Sequence, residues 1–258
     1  MSRSRKELSA VMQKWFAGAL LFFLAIGGVN ATDKRVALVI GNSAYVHMSA
    51  RPGSKRDAAD IAGALEKLGF HVIAGYDVDK ASLEVRARDF AAALAGADVG
   101  VFFYAGRALQ IAGRNFLIPV DAQSLTAQTL DAQTVPLDLV YGSLEGRAKT
   151  KILLIDADRD NPLSTSGPKG FASGTEKIGV GAVISFCTQP GSVALDGSGG
   201  NSPYVAALLR RIAVAGKDLA AALDEVRDDV RSATNNKQIP WYHSSLPEKF
   251  YFVQPSKN

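Results

Sequence analysis

From residue 35 to residue 253, short apolar runs alternate with stretches whose apolar positions recur every three or four residues. RVALVIG (35–41), FHVIAGYD (70–77), DVGVFFYAG (98–106), KILLID (151–156) and VGAVISFCT (180–188) are continuous or alternating runs of strand length. Between them, KRDAADIAGALEKLGF carries Ala58, Ile61, Ala62, Leu65 and Leu68 at helical spacing and stops at Gly69, a natural helix C-cap. DKASLEVRARDFAAALAGAD (79–98), the short PLDLVYGSLEGR (136–147), SPYVAALLRRIA (202–213) and KDLAAALDEVRDDVRSAT (217–234) read as further helices. LQIAGRNFLIPVD (109–121) reads as a hairpin turning at Gly113, and KFYFV (249–253) as a closing strand. A run as uniformly apolar as DVGVFFYAG is buried on both faces, as happens in a parallel sheet covered by helices. The alternation therefore predicts a three-layer α/β sandwich with a mostly parallel sheet of six strands.

In such a sheet, ligands bind beyond the carboxyl ends of the strands. Three segments end there: Gly41-Asn42-Ser43, Gly106-Arg107-Ala108 and Asp156–Asp158. The last belongs to KILLIDADRDNP, where a buried run meets acids at alternate positions, Asp156, Asp158 and Asp160. The pattern alone leaves three readings open. The acids can hold a divalent cation. They can act as paired general acid and base. Or they are the solvated end of a buried strand, with Asp160-Asn161-Pro162 as a turn. The stretches 157–177 and 188–200, rich in Gly, Ser, Pro and Asp, flank the fifth strand as long loops.

Charge and cysteine content narrow the function classes. The first 31 residues join a basic start (Arg3, Arg5, Lys6, Lys14, against Glu7) to an apolar stretch from Trp15 to Val29 and a small-residue Val-Asn-Ala site. This is the layout of a secretory signal, with 32–258 as the exported, periplasmic or secreted domain. The alternative is an uncleaved membrane anchor over 15–29, although that run falls short of the roughly 20 residues a spanning helix needs. Four basic residues against one acid give the leader +3 of the chain's formal +4, leaving +1 for the rest. That balance gives no basic footprint for nucleic acid. Cys187 is the one cysteine, so no internal disulfide staples the domain.

Taken in order, RVALVIGNSAY, RDAADIAGALEKLGF, DVGVFFYAG, NFLIPVDA, LLIDADRDNP, SVALDGSGGNSPYVAALL, QIPWYHSSL and KFYF resemble the bacterial caspase-like peptidases, the metacaspase and orthocaspase relatives of caspases. The resemblance implies a caspase-like sandwich and a cysteine-type endopeptidase scaffold. In that family the third strand ends in Tyr-Ala-Gly-His-Gly, with the histidine as general base. This chain has Tyr104-Ala105-Gly106-Arg107-Ala108. The family's fourth strand ends in Asp-Ala-Cys-Arg-Asp-Asn-Pro, with the cysteine as nucleophile. This chain has Asp156-Ala157-Asp158-Arg159-Asp160-Asn161-Pro162. Arg107 and Asp158 thus take the places of both dyad members. An arginine keeps its proton and a carboxylate is a poor nucleophile towards an amide. The pair is expected to form a charge-assisted contact instead.

The resemblance also implies that acids at Asp57 and Asp156 form a pocket for an Arg or Lys side chain, although Arg56 stands where the family usually has Asn. The expected function is an inactive pseudo-peptidase that binds a basic peptide or regulates a protein partner, such as a related peptidase, without a cofactor. Two alternatives remain: a hydrolase with Cys187 as a relocated nucleophile, and a metal-dependent hydrolase built on Asp156, Asp158 and Asp160. Cys187 reads more simply as a core-edge hydrophobe. His243 reads as a structural hydrogen-bonding residue, and His47 and His71 as loop and strand-end residues.

Overall fold

The computed structural model describes residues 33–111, 114–158, 178–189, 194–195, 197 and 200–256, with only the backbone of Asp158. Residues 1–32, Gly113, where the sequence predicts the hairpin turn, and Arg159 and Asp160 lie outside the described residues. The strands are β1 (Arg35–Gly41), β2 (His71–Tyr76), β3 (Ala97–Ile111), β4 (Arg114–Leu117), β5 (Val135–Pro136), β6 (Ala148–Asp158), β7 (Ala182–Phe186) and β8 (Trp241–Ser244). The helices are α1 (Ser54–Lys67), α2 (Lys80–Ala93), α3 (Leu130–Gln133), α4 (Leu137–Leu144), α5 (Pro203–Arg211) and α6 (Leu219–Ala233). The main sheet runs β2-β1-β3-β6-β7-β8. Its pairings are parallel except that of β7 with β8.

The period of two along each strand divides the core into two layers. Val39, Val101, Phe103, Ile152 and Leu154 face α1, α5 and α6, packing on Ile61, Leu65, Val205, Leu208 and Val226. Leu38, Ile40, Phe102, Tyr104, Leu153 and Ile155 face α2 and α4, packing on Leu83, Phe90, Val140 and Leu144. Asp156 continues the Ile152–Leu154 face, so it emerges beneath α1 and α5. The ends of the long helices follow local chemistry. Gly69 takes φ +81 just past α1, while the side chains of Asp79, Ser202 and Asp218 cap α2, α5 and α6. Gly41 ends β1 because α1 crosses it closely: a Cβ there would lie 2.5 Å from Ala58 Cβ and 2.7 Å from Ser54 O.

Two elements differ from the sequence reading. The sixth strand of the main sheet is Trp241–Ser244, paired antiparallel to β7. Residues 249–253 instead run past the start of α6, where Tyr251 forms an isolated bridge with Asp218 and Leu219 N donates to Phe250 O at 2.8 Å. Phe252 buries its ring against Phe70, and Arg35 Nη1 donates to its carbonyl at 2.8 Å. An apolar, β-prone stretch was thus used as packing at the helical layer. Strand β3, in turn, does not stop at Gly106. It stays paired with β6 through Arg107 and continues from Ala108 to Ile111 as the first arm of the antiparallel pair with β4.

Candidate functional site

The carboxyl ends of β1, β3 and β6 meet at one edge of the sheet. In the β3–β6 ladder Ala105 is the Cα partner of Asp156, and Arg107 that of Asp158. The two positions at which the resemblance expects the dyad are therefore neighbours on adjacent parallel strands. The side chain of Asp158 lies outside the described residues, so the expected contact with Arg107 stands as an expectation.

The backbone at Arg107 is firmly held. Its N–H donates to Tyr45 Oη at 2.6 Å, and its carbonyl accepts from Tyr104 Oη at 2.7 Å. Burial pushes both phenols up from their ordinary range, Tyr104 well above it, which keeps them neutral hydroxyls. Gly106 makes room for this arrangement: a Cβ there would lie 2.7 Å from Tyr45 Oη and 2.9 Å from Tyr104 Oη. The Arg107 side chain reaches the loop after β1. Its Nε donates to Ser49 O at 3.0 Å, its Nη2 to Ser49 Oγ, and its guanidinium lies 5.7 Å from the centre of the Tyr45 ring. The loop is braced from the other side by Asp77, whose Oδ1 accepts from Ser43 N and Ala44 N at 2.7 and 2.9 Å.

On the α1 side of the sheet, Asp156 lies close enough to Asp57 to influence its ionisation. They are 3% and 4% exposed. Ser202, the N-cap of α5, bridges them: its backbone N–H donates to Asp57 Oδ1 at 3.1 Å and its Oγ to Asp156 Oδ2 at 2.5 Å. Burial, reinforced by the charge of Asp156, pushes Asp57 up to about 7, against the Ser202 N–H, Arg56 and Asn201, which favour the carboxylate. The sequence reading named both acids but missed Ser202. The Ser-Pro pair before VAALL signals an N-cap, whereas the reach of that cap to β6 and α1 is a tertiary fact.

Cys187 follows β7 directly. It is fully buried among apolar side chains, with Sγ 3.7 Å from the carbonyl of Ala157. Gln238 Nε2 donates to its backbone carbonyl at 2.8 Å. His47, His71 and His243 are all exposed. His243 stands on the edge strand β8, opposite Ile184 in the ladder. Among the described residues, no three His, Cys, Asp or Glu side chains converge as a metal site. Asp160, the third member of the acidic run, lies outside them. No described helix is long and apolar enough to cross a membrane.

Comparison with known proteins agrees with this geometry. Over 232 residues the chain is 27% identical to the human mucosa-associated lymphoid tissue lymphoma translocation protein 1, and 26% identical to its mouse homologue. These alignments cover 87% of this chain and only 27% of each relative, so the chain spans about a quarter of their length. Among solved structures, caspase-1 from Spodoptera frugiperda superimposes with a TM-score of 0.62 at 18% identity, covering 88% of this chain and 92% of that one. At that identity the likeness shows the fold. The caspase domain family model matches residues 34–251, nearly all of the described chain, and the chain belongs to the caspase domain family.

Proposed function

We propose that this protein is a non-hydrolysing caspase domain, exported from the cytoplasm, that holds a basic side chain of a peptide or protein partner. One observation carries the reading: Arg107 and Asp158 occupy partner positions at the carboxyl ends of β3 and β6, where the family places its base and its nucleophile. A guanidinium keeps its proton in a protein and so cannot take one from a nucleophile. The Arg107 side chain is also engaged by Ser49 and Tyr45. Cys187 offers no substitute, because a thiol with no exposed surface among apolar side chains is not accessible to a peptide bond.

The basic guest is supported by the acid pair. Two carboxyls in nearly water-free surroundings favour a cation that can replace the lost hydration. The leader residues 1–31 support export, and a signal-cleaved chain beginning near Thr32 in the envelope fraction is the matching expectation.

The purified protein should leave Arg- and Lys-containing reporter peptides uncut, with or without Ca²⁺. A tripeptide ending in arginine should raise the melting temperature of the wild type but not of Asp156→Asn. Cleavage that survived repurification and vanished in Cys187→Ala would replace this reading with a relocated nucleophile.

A further inference from the structure

We propose that the chain entering α5 is fastened to α1 by a proton-tightened latch, in which Ser202 bridges the carboxyls of Asp57 and Asp156. The latch uses the two carboxyls assigned above to a basic guest, and it operates in the empty protein.

Three consecutive residues are gripped by one face of α1. Arg56 donates to the carbonyl of Gly200, Asp57 accepts from the N–H of Ser202, and Asp60 Oδ2 accepts from Asn201 Nδ2 at 2.8 Å. Positions 56, 57 and 60 fall on one side of the helix, so the grip is a single continuous contact. The outer members, Arg56 and Asp60, are exposed, and such contacts contribute little in water. The inner members are buried: Asp57, Asp156 and Ser202 are 3%, 4% and 6% exposed. The strength of the latch therefore resides in the two carboxyls and the serine. Ser202 Oγ also accepts from Val205 N at 3.1 Å, so the same residue that joins the acids starts α5. Opening the latch uncaps the helix.

The charge balance decides when the latch holds. Around Asp57 stand Arg56 on its own helix, Asp156 from β6, and the uncharged Ser202 and Asn201 from the start of α5. The buried Arg51 precedes α1, Arg107 stands on β3 two ladder positions beyond the partner of Asp156, and the thiol of Cys187 faces the carbonyl of Ala157. With both acids ionised, two negative charges are confined in a poorly hydrated space. One proton removes that repulsion while leaving Asp57 Oδ1 available to the Ser202 N–H. Burial and the charge of Asp156 raise Asp57 to about 7 in the closed arrangement. In the opened arrangement, hydrated, it returns to the ordinary range near 4. The proton thus favours closure. Opening grows easier as pH rises from about 4 to about 7, and changes no further above that.

Amide exchange measured by NMR on the purified protein without peptide tests this. Intrinsic exchange accelerates about tenfold per pH unit, and release of one linked proton on opening adds up to about tenfold more. The Ser202 amide should therefore accelerate by well over tenfold per unit between pH 5 and 7, and by about tenfold above 7.5. Asp57→Asn should accelerate by about tenfold per unit throughout. In the wild type, a carboxyl carbon of the Asp57–Asp156 pair should titrate near neutrality. A uniform tenfold slope for Ser202 in the wild type, or titration of both carboxyls below pH 5.5, overturns the latch. Because no peptide is present, either result leaves the reading of a basic-residue pocket to its own binding test.

Discussion

Arg107 is held by its backbone as tightly as by its side chain, and this decides what a substitution there can mean. Tyr45 and Tyr104 fix its N–H and carbonyl, and Ser49 receives its guanidinium. A different side chain at position 107 inherits the same backbone placement but leaves the loop after β1 without its staple. Asp57 ties α1 to the start of α5 through the Ser202 N–H, beside the charge of Asp156 on β6. Its pKa is raised by burial first and by Asp156 second, to about 7. The folded chain therefore carries a proton that the unfolded chain releases near pH 4. The associated stability is complete below about pH 4, falls as pH rises to about 7, and is absent above. Asp57→Asn keeps an oxygen for the Ser202 N–H and removes the titration. Relative to the wild type, it should gain about 2–3 kcal/mol on moving from pH 5 to pH 8. Thermal melts of both proteins across that range check the direction, and parallel curves would mean that Asp57 titrates normally when folded.

At the scale of elements, the closest approach is that of α1 over the end of β1. Gly41→Ala places a Cβ 2.5 Å from Ala58 Cβ and 2.7 Å from the backbone carbonyl of Ser54. Backbone cannot rotate away as a side-chain end can. A loss of about 1–3 kcal/mol is expected in urea unfolding, whereas Gly63→Ala on the same helix, where an added Cβ meets nothing within 4 Å, should cost nothing. The apolar runs made β1, β3, β6 and β7 legible because each is buried on both faces and no competing pattern fits. Helix α1 was legible from its five spaced apolar residues and Gly69. The hairpin after β3 was legible as well, but its continuity with β3 was not, because Arg107 still pairs with β6 while Ala108 already pairs with β4. The exchange of β8 for residues 249–253 has its own cause. KFYFV has the higher strand propensity, yet its aromatics serve as packing against Phe70, and the more polar WYHS suffices at a sheet edge exposed to water. At the site, ladder adjacency of positions 107 and 158 followed from the family resemblance. The bridging by Ser202 required α5 to be docked, and no local pattern encodes that.

At the scale of the whole molecule, the scaffold of a caspase domain is present, and under the proposal that its reacting groups are exchanged, the scaffold's remaining competence can be measured directly. The double replacement Arg107→His with Asp158→Cys restores the family's residue types at Cα-paired positions. The backbone of position 107 should stay in place, because Tyr45 and Tyr104 hold its peptide groups and not its side chain. Two features oppose full recovery. Histidine cannot reach Ser49 with the three-nitrogen fork of arginine, so the loop after β1 loses its tether. Ala108, where the resemblance expects glycine, is buried in the β3–β4 pairing, and the related peptidases are expected to hold the oxyanion with backbone N–H groups at this point. Weak cleavage after arginine or lysine is therefore the expected outcome, at a rate far below that of an intact dyad, measured with paired reporters that differ only in the residue before the scissile bond. Adding Asp156→Asn should remove that preference for basic residues. Cleavage without the preference, before this third change is made, would show that Asp57 and Asp156 do not receive the substrate side chain even though the dyad has been rebuilt beside them.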